Sequence, residues 1–183
     1  MRIGSVTDIA IRRASASDAA ALAALGRDTF TETFGHLYPP KDLAGFLDAA
    51  HAPQHYTDVA RDPGFALWIA EADGRAVAYA EAGRCLIRHA DVTPDCGELQ
   101  RLYVRRDAQG GGLGVRLLET ALHWLERPDR RLWIGCWSEN YGAQRLYARY
   151  GFEKVGEYEF SVGDSRDLEF ILARPDPGSP PRR

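Results

Sequence analysis

The sequence predicts a single mixed α/β domain with a partly parallel sheet, and three observations carry that expectation. The chain has 183 residues, the size of one domain rather than two. From Glu98 onward it reads strand, helix, strand, helix, strand, strand, an order that lays helices on a sheet containing a parallel pair. In the middle, Asp73-Gly74 joins two alternating apolar segments, a strong signal for an antiparallel hairpin.

The elements follow in chain order. Ile9 to Arg13 alternates as a short strand, and Ser17 is placed to cap a helix over Asp18 to Gly26, where small apolar residues recur at helical spacing. The polar–aromatic stretch DTFTETFGHLYPPKDL leads into a helix around Lys41 to Ala50, and a short helix follows Pro53. Phe65 to Glu71 and Arg75 to Arg84 are the hairpin strands; Arg88 to Gly97 reads as loop. Glu98 to Val104 is a strand. Gly112 to Glu126 is a helix with Gly114, Leu117, Leu118, Ala121 and Leu125 turned inward, ended by Pro128. The uninterrupted apolar run Leu132 to Trp137 predicts a central strand covered on both faces. Asn140 caps a helix bearing Ala143, Leu146, Tyr147 and Tyr150, and Gly151 takes its C′ position. Val155 to Phe160 and Leu168 to Leu172 close the domain as an antiparallel pair around Gly163-Asp164. The domain is therefore expected over residues 1–173. Residues 174–183, RPDPGSPPRR, hold four prolines and no large apolar residue and are expected to form a disordered tail.

Composition narrows the function. Lys plus Arg total 23 and Asp plus Glu total 26, a net charge of −3, which removes the basic footprint of a dedicated nucleic-acid binder. Cys85, Cys96 and Cys136 form no C-x-x-C pair, against both a disulfide framework and a thiolate zinc site, and point to a reducing, cytoplasmic setting. His51 and His55 stand at i, i+4 like a metal pair, but Pro53 breaks the helix between them and they read as surface histidines. No apolar run reaches the ~18–20 residues that span a bilayer, and the opening MRIGSVTDIAIRRAS lacks a signal-peptide core. Neither membrane, metal nor nucleic acid is expected as a partner.

The chemistry concentrates in Leu102 to Val115, LYVRRDAQGGGLGV: a strand end, a glycine-rich turn and a helix start. That geometry leaves the first helical N–H groups unpaired at the positive end of the helix dipole, a cradle for phosphate. A Walker loop is excluded because no lysine follows Val115, and the dinucleotide fingerprint is excluded because the third glycine is missing. What the segment contains is Gln109-x-x-Gly112-x-Gly114.

That pattern resembles the Q/R-x-x-G-x-G/A signature of the GNAT N-acetyltransferases, whose loop holds the pyrophosphate of acetyl-CoA. The segment from Trp133 to Phe152 is similar to their second signature, N-x-x-A-x-x-[LF]-Y-x-x-x-G-F, with Asn140, Ala143, Leu146, Tyr147, Gly151 and Phe152 at its positions. Adding Thr29 to Phe34, Glu98 to Val104 and Phe160 to Asp164, the likeness extends over nearly all of residues 9–173 toward the bacterial spermidine/spermine acetyltransferase branch. Ser165-Arg166-Asp167 departs from that branch's usual polar run.

The resemblance implies one GNAT domain: a mixed, mostly antiparallel sheet flanked by helices, with a splayed central parallel strand pair. It implies acetyl-CoA as co-substrate, its pantetheine arm on the backbone of Leu102, Tyr103 and Val104. Its pyrophosphate would lie on Gln109, Gly110, Gly111, Gly112, Leu113, Gly114 and Val115. Tyr147 stands where the family places the phenol that protonates the departing thiolate, and Asn140 serves as both helix cap and cofactor contact. An acceptor amine near pKa ~10 must lose a proton before attack. Glu98, expected on one strand face with Gln100 and Leu102, is a candidate to take it through a water, or else a solvated strand end. Glu32 and His36, in a stretch expected over the acceptor site, are its rivals. Trp137 would line the acceptor pocket, and Trp133 the core or that pocket. Arg101, Arg105 and Arg106 would screen the adenosine 3′-phosphate or form a solvated face. The expected activity is direct acetyl transfer to a primary amine of a small molecule such as a polyamine. The alternatives are a protein or peptide N-acetyltransferase and a non-catalytic acetyl-CoA-binding regulator. A homodimer is compatible with each of these.

Overall fold

Why the first helix outruns its expected end is a matter of tertiary packing. The computed structural model describes residues 9–175, and in it the opening strand β1 (Ala10–Arg13) leads through a 3-10 turn into α1 (Ala19–Phe34). The turn is fixed by Asp18, whose carboxylate accepts the Ser15 backbone N–H at 2.8 Å and the Ser15 hydroxyl at 3.2 Å. Ser15 and Asp18, not Ser17, therefore start the helix. It does not stop at Gly26, because Gly26 is a buried contact point: an added Cβ would lie 2.4 Å from both His51 Nδ1 and the Tyr56 hydroxyl. The glycine is there to let α1 approach its neighbours, and the stretch expected to link two helices is the second half of one.

The helices α2 (Pro40–Ala50) and α3 (Pro53–Arg61) each begin with proline, which already has the helical φ and lacks only an N–H that would go unpaired there. The hairpin strands β2 (Phe65–Ala72) and β3 (Arg75–Arg84) turn at Asp73 and Gly74, both at positive φ, as a two-residue hairpin turn requires. Then come β4 (Gly97–Val104), α4 (Leu113–Leu125), β5 (Leu132–Trp137), α5 (Tyr141–Arg149), β6 (Glu153–Val162) and β7 (Ser165–Ala173). The last two strands are longer than expected, running to the Gly163-Asp164 turn itself.

The strands form one sheet in the order β1-β2-β3-β4-β5-β7-β6. Every neighbouring pair is antiparallel except β4 and β5. That parallel pairing covers only Gly97 to Leu99 against Leu132 to Ile134 and then ends. The cause lies on the other edge of β4. Glu81 pairs with Arg101 and Ala82 with Leu99, so Gln100 is an extra residue, a β-bulge. A bulge bends its strand and raises its twist, and beyond this one β4 diverges from β5.

Two layers of helix cover the sheet. Leu113, Leu117, Leu118, Ala121, Leu122 and Leu125 of α4 pack with α5 against one face, alongside Ala78, Leu99 and Ile134. A fully buried leucine in such a stripe contributes about 1.5–3 kcal/mol. On the opposite face α1 and α3 close over Leu67, Ile69 and Tyr79, while α2 and the end of α1 pack on Val162. Arg174, the first residue of the expected tail, belongs to the folded domain: its N–H donates to Leu132 O at 2.9 Å and its guanidinium to Tyr150 O at 2.8 Å. Residues 176–183 lie outside the described residues.

Candidate active site

Between β4 and α4 the chain makes the predicted cradle. Gly110 and Gly112 have φ of +85° and +77°, the left-handed region where a side chain is strained. Gly112 is the residue that opens α4, and the first intrahelical bond is Arg116 N–H to Gly112 O at 3.1 Å. The N–H groups of Leu113, Gly114 and Val115 precede it and are left for another partner. Nothing lies within 4 Å of where a Cβ would stand on Gly110, Gly111 or Gly112, so the concavity is open. Leu113 anchors the turn by burying its side chain in the core. Gln109 folds back, donating its amide to Val104 O at 3.0 Å, and thereby ties the loop to the strand it leaves.

A cavity of about 290 Å3 lies at the gap where β4 and β5 part. Leu102 and Tyr103 border it on one side, Gly135, Cys136 and Trp137 on the other. On the α4–α5 face stands Tyr147, 7% exposed, its ring in contact with Phe152 and its phenol without a hydrogen-bonding protein partner among the described residues. Burial pushes its phenol well above the ordinary tyrosine range, so it holds its proton at neutral pH. Asn140 caps α5, its side-chain oxygen accepting the Ala143 N–H at 3.1 Å, and it also lines the cavity. Burial likewise lifts the Cys136 thiol to about 12, which keeps it a thiol rather than a competing nucleophile.

The rest of the cavity lining is aromatic and acidic. Phe34 meets the edge of Trp137 at 5.5 Å between centroids, Phe46 meets Phe160 at 5.5 Å, and Phe30 lies 4.6 Å from Phe46. Among these rings stand Glu98, Asp167 and Glu169. The Tyr38 hydroxyl donates to Asp167 and the Tyr158 hydroxyl to Glu169. Behind the wall, Arg101 donates to the Tyr56 hydroxyl at 3.1 Å and to Ala50 O at 2.9 Å, and Tyr56 sits 2.8 Å from His51 Nδ1.

The cavity thus gathers Leu102, Tyr103, Glu98, Asn140, Tyr147 and Trp137. Four sequence expectations need correction. Glu32 lies outside the cavity wall: its carboxylate accepts the Arg106 N–H at 3.0 Å and faces Arg105 at 3.7 Å, clamping α1 to the start of the β4–α4 turn. His36 is exposed on the turn after α1 and does not border the cavity. His51 is buried, 2% exposed, and His55 pairs with Glu81 at 3.0 Å, so neither is a free surface histidine. The bulge at Gln100 also breaks the expected alternation: Leu99, Leu102 and Val104 face α4, and Tyr103 joins the opposite layer. Arg105 and Arg106 are engaged with Asp28 and Glu32 of α1, and Arg101 points away from the cradle into the helix layer. Trp133 is wholly buried in the core.

Sequence reasoning missed Glu169, Tyr158, Tyr38 and Asp167. One signal was available: Asp167 and Glu169 alternate with the same phase as Ile171 and Ala173, a core-facing register in which a carboxylate needs a reason. Among the described residues no group of three or more His, Cys, Asp or Glu is arranged to hold a metal ion, and no helix is long and apolar enough to cross a membrane.

A splayed parallel pair opening onto a glycine cradle is an architecture for holding an extended, diphosphate-bearing acyl carrier, and comparison with known proteins agrees. Residues 24–152 match the model of the acetyltransferase (GNAT) family. An uncharacterised N-acetyltransferase of Lactobacillus delbrueckii subsp. lactis is 30% identical over 92% of this chain and 98% of its own length. The crystal structure of the PaiA N-acetyltransferase from Thermoplasma acidophilum in complex with coenzyme A superimposes with a TM-score of 0.70 at 17% identity, covering 91% of this chain and 98% of that one. A protein of Bacillus subtilis subsp. natto named as a probable spermine N(1)-acetyltransferase is 32% identical over 34% of this chain and 43% of its own. The chain belongs to the GNAT acetyltransferase family, and is an N-acetyltransferase with acetyl-CoA as its co-substrate.

Proposed function

We propose that this enzyme acetylates a primary amine of a small cationic molecule of the polyamine kind. The observation that carries this reading is the composition of the acceptor-side mouth, where three carboxylates, Glu98, Asp167 and Glu169, stand among aromatic rings. Carboxylates and ring faces both favour a cation, and a cavity of about 290 Å3 suits a narrow alkyl chain better than a folded protein. The partial likeness to the protein named as a spermine acetyltransferase supports the same choice. The pyrophosphate of acetyl-CoA binds the N–H groups from Gly110 to Val115, and the pantetheine arm lies along Leu102 to Val104, whose strand has no β5 partner there. Tyr147 protonates the leaving thiolate, a role suited to a phenol kept neutral by burial. Transfer is direct from acetyl-CoA to the amine, and the burial that raises the Cys136 thiol disfavours the thiolate an acetyl-enzyme would need. The unpaired cysteines suit a cytoplasmic setting.

The test is coenzyme A release from acetyl-CoA across a panel of polyamines, amino acids and peptides. Polyamines are expected to give the highest kcat/KM, and Tyr147→Phe to lower kcat about 10²-fold or more with acetyl-CoA affinity unchanged. Turnover confined to peptides would replace the acceptor class, and tight acetyl-CoA binding with no turnover of any amine would replace the enzyme by a regulator.

A further inference from the structure

We propose that Glu169 is the residue that receives the acceptor's ammonium group and takes its proton, with Tyr158 fixing the carboxylate in place. The inference rests on the transfer reading above and assigns one step of it.

Of the three carboxylates at the acceptor-side mouth, Glu98 holds backbone, whereas Asp167 and Glu169 each accept one tyrosine hydroxyl. Glu98 Oε2 accepts the N–H of Leu86 at 2.6 Å and of Ile87 at 3.2 Å, pinning the loop that joins β3 to β4. Protonating it would weaken two bonds that hold backbone, so it is suited to structure. Asp167 takes the Tyr38 phenol. Among the described residues the Glu169 carboxylate accepts from the Tyr158 hydroxyl alone, which leaves acceptor capacity for a bound ammonium, and its place beside Gly135 sets it apart from Asp167.

Its position is set by a missing side chain. Gly135 lies on β5 just past Ile134, the last residue that pairs with β4. A Cβ on Gly135 would stand 3.3 Å from Glu169 Oε2 and 3.3 Å from the Tyr158 hydroxyl. The carboxylate therefore hangs over the bare point of β5 where the gap between the strands opens. On the other face of the same strand, Cys136 packs in the layer that contains Tyr147. Carboxylate and phenol flank the gap from opposite sides, and Trp137, the β-ladder partner of Glu169, closes one wall.

The titratable groups around Glu169 are Tyr158 on β6, Asp167 on its own strand, Tyr103 and Glu98 on β4, Cys136 on β5, and Tyr38 through Asp167. Arg101 lines the same cavity but is turned toward Tyr56 and Ala50. Burial raises the affinity of Glu169 for a proton, Asp167 adds to it, and the Tyr158 hydrogen bond opposes it. The upward direction brings a carboxylate closer to the working pH of a general base.

The step balances as follows. The ammonium N–H bond breaks and its proton goes to Glu169; the freed lone pair forms the C–N bond to the thioester carbonyl. The C–S bond then breaks and the thiolate takes the Tyr147 proton. The nitrogen's remaining extra proton restores the phenol, directly or through water, and Glu169 sheds its own to solvent after the product leaves.

The test measures kcat against pH with acetyl-CoA and spermidine, together with coenzyme A affinity by calorimetry, for Glu169→Gln, Tyr158→Phe and Glu98→Gln. Glu169→Gln is expected to lose about 10²–10⁴-fold in kcat and the acidic limb of the profile, with coenzyme A affinity intact. Tyr158→Phe keeps the limb but moves it to higher pH, because the donor that favours the ionised form is gone; Glu98→Gln retains an acidic limb. A Glu169→Gln enzyme with its acidic limb intact, or a limb that vanishes with Glu98 instead, overturns the assignment while leaving the transferase reading in place. If Glu169→Gln does not fold, an unmoved limb in Tyr158→Phe overturns it. A wild-type protein that binds coenzyme A yet acetylates neither spermidine nor any other amine removes both.

Discussion

His51 shows how one side chain can look idle in sequence and be fully employed in the fold. It ends α2 among Phe30, Phe46 and Tyr103, with Nδ1 against the Tyr56 hydroxyl. Burial first, then Arg101, lowers its pKa to about 3. The unfolded chain takes up a proton near pH 6.5 that the folded protein refuses, so the contribution of His51 to stability falls as pH drops below that value. Glu98, raised by its own burial, acts in the opposite sense, since the folded protein then binds the proton more readily. The difference in melting temperature between wild type and His51→Gln isolates the histidine. That difference is expected to shrink as pH is lowered from about 7.5 to about 5. A difference independent of pH would mean that His51 is not held neutral.

At the scale of elements, α1 makes the clearest case. Alanine is the better helix former by about 1 kcal/mol, yet Gly26→Ala is expected to destabilise the protein by about 1–3 kcal/mol, read from the urea midpoint. The added methyl would press at 2.4 Å on the side chains of His51 and Tyr56, both buried, and force them to shift. A variant as stable as wild type would show that α1 and α3 can separate at little cost. The same residue explains where element prediction stopped short. Local rules place a helix end at a glycine, whereas here the glycine answers to a partner distant in sequence. By contrast the strand–loop–helix unit at Gly110 to Val115, the hairpin at Asp73-Gly74 and the Asn140 cap were legible, because each depends on the conformation of a few adjacent residues. The bulge at Gln100 was not, since it exists only as a mismatch between two strands.

For the whole molecule the same division holds. The proposed cofactor side rests on main-chain geometry after one strand, and its signature falls in two short local runs: Gln109, Gly112 and Gly114, then Asn140 and Tyr147. The proposed acceptor side draws on the end of α1, on α2 and on β6 and β7, so that Phe34, Phe46, Tyr158 and Glu169 meet only after folding. Glu32 and His36 were drawn from the right segment, but helix phase turned Glu32 toward Arg105 and Arg106 and left His36 on an exposed turn. The sheet shapes the site: a bulge on one edge of β4 precedes its parting from β5, and the cavity lies at that opening.

The central claim is that free N–H groups at the start of α4 hold the diphosphate of acetyl-CoA. Backbone amide NMR during titration with coenzyme A tests it most directly. The account predicts saturable shifts at Gly110 to Val115 that are lost in Gly112→Val, with the remaining spectrum folded. Unmoved resonances at these residues with millimolar coenzyme A present would contradict it.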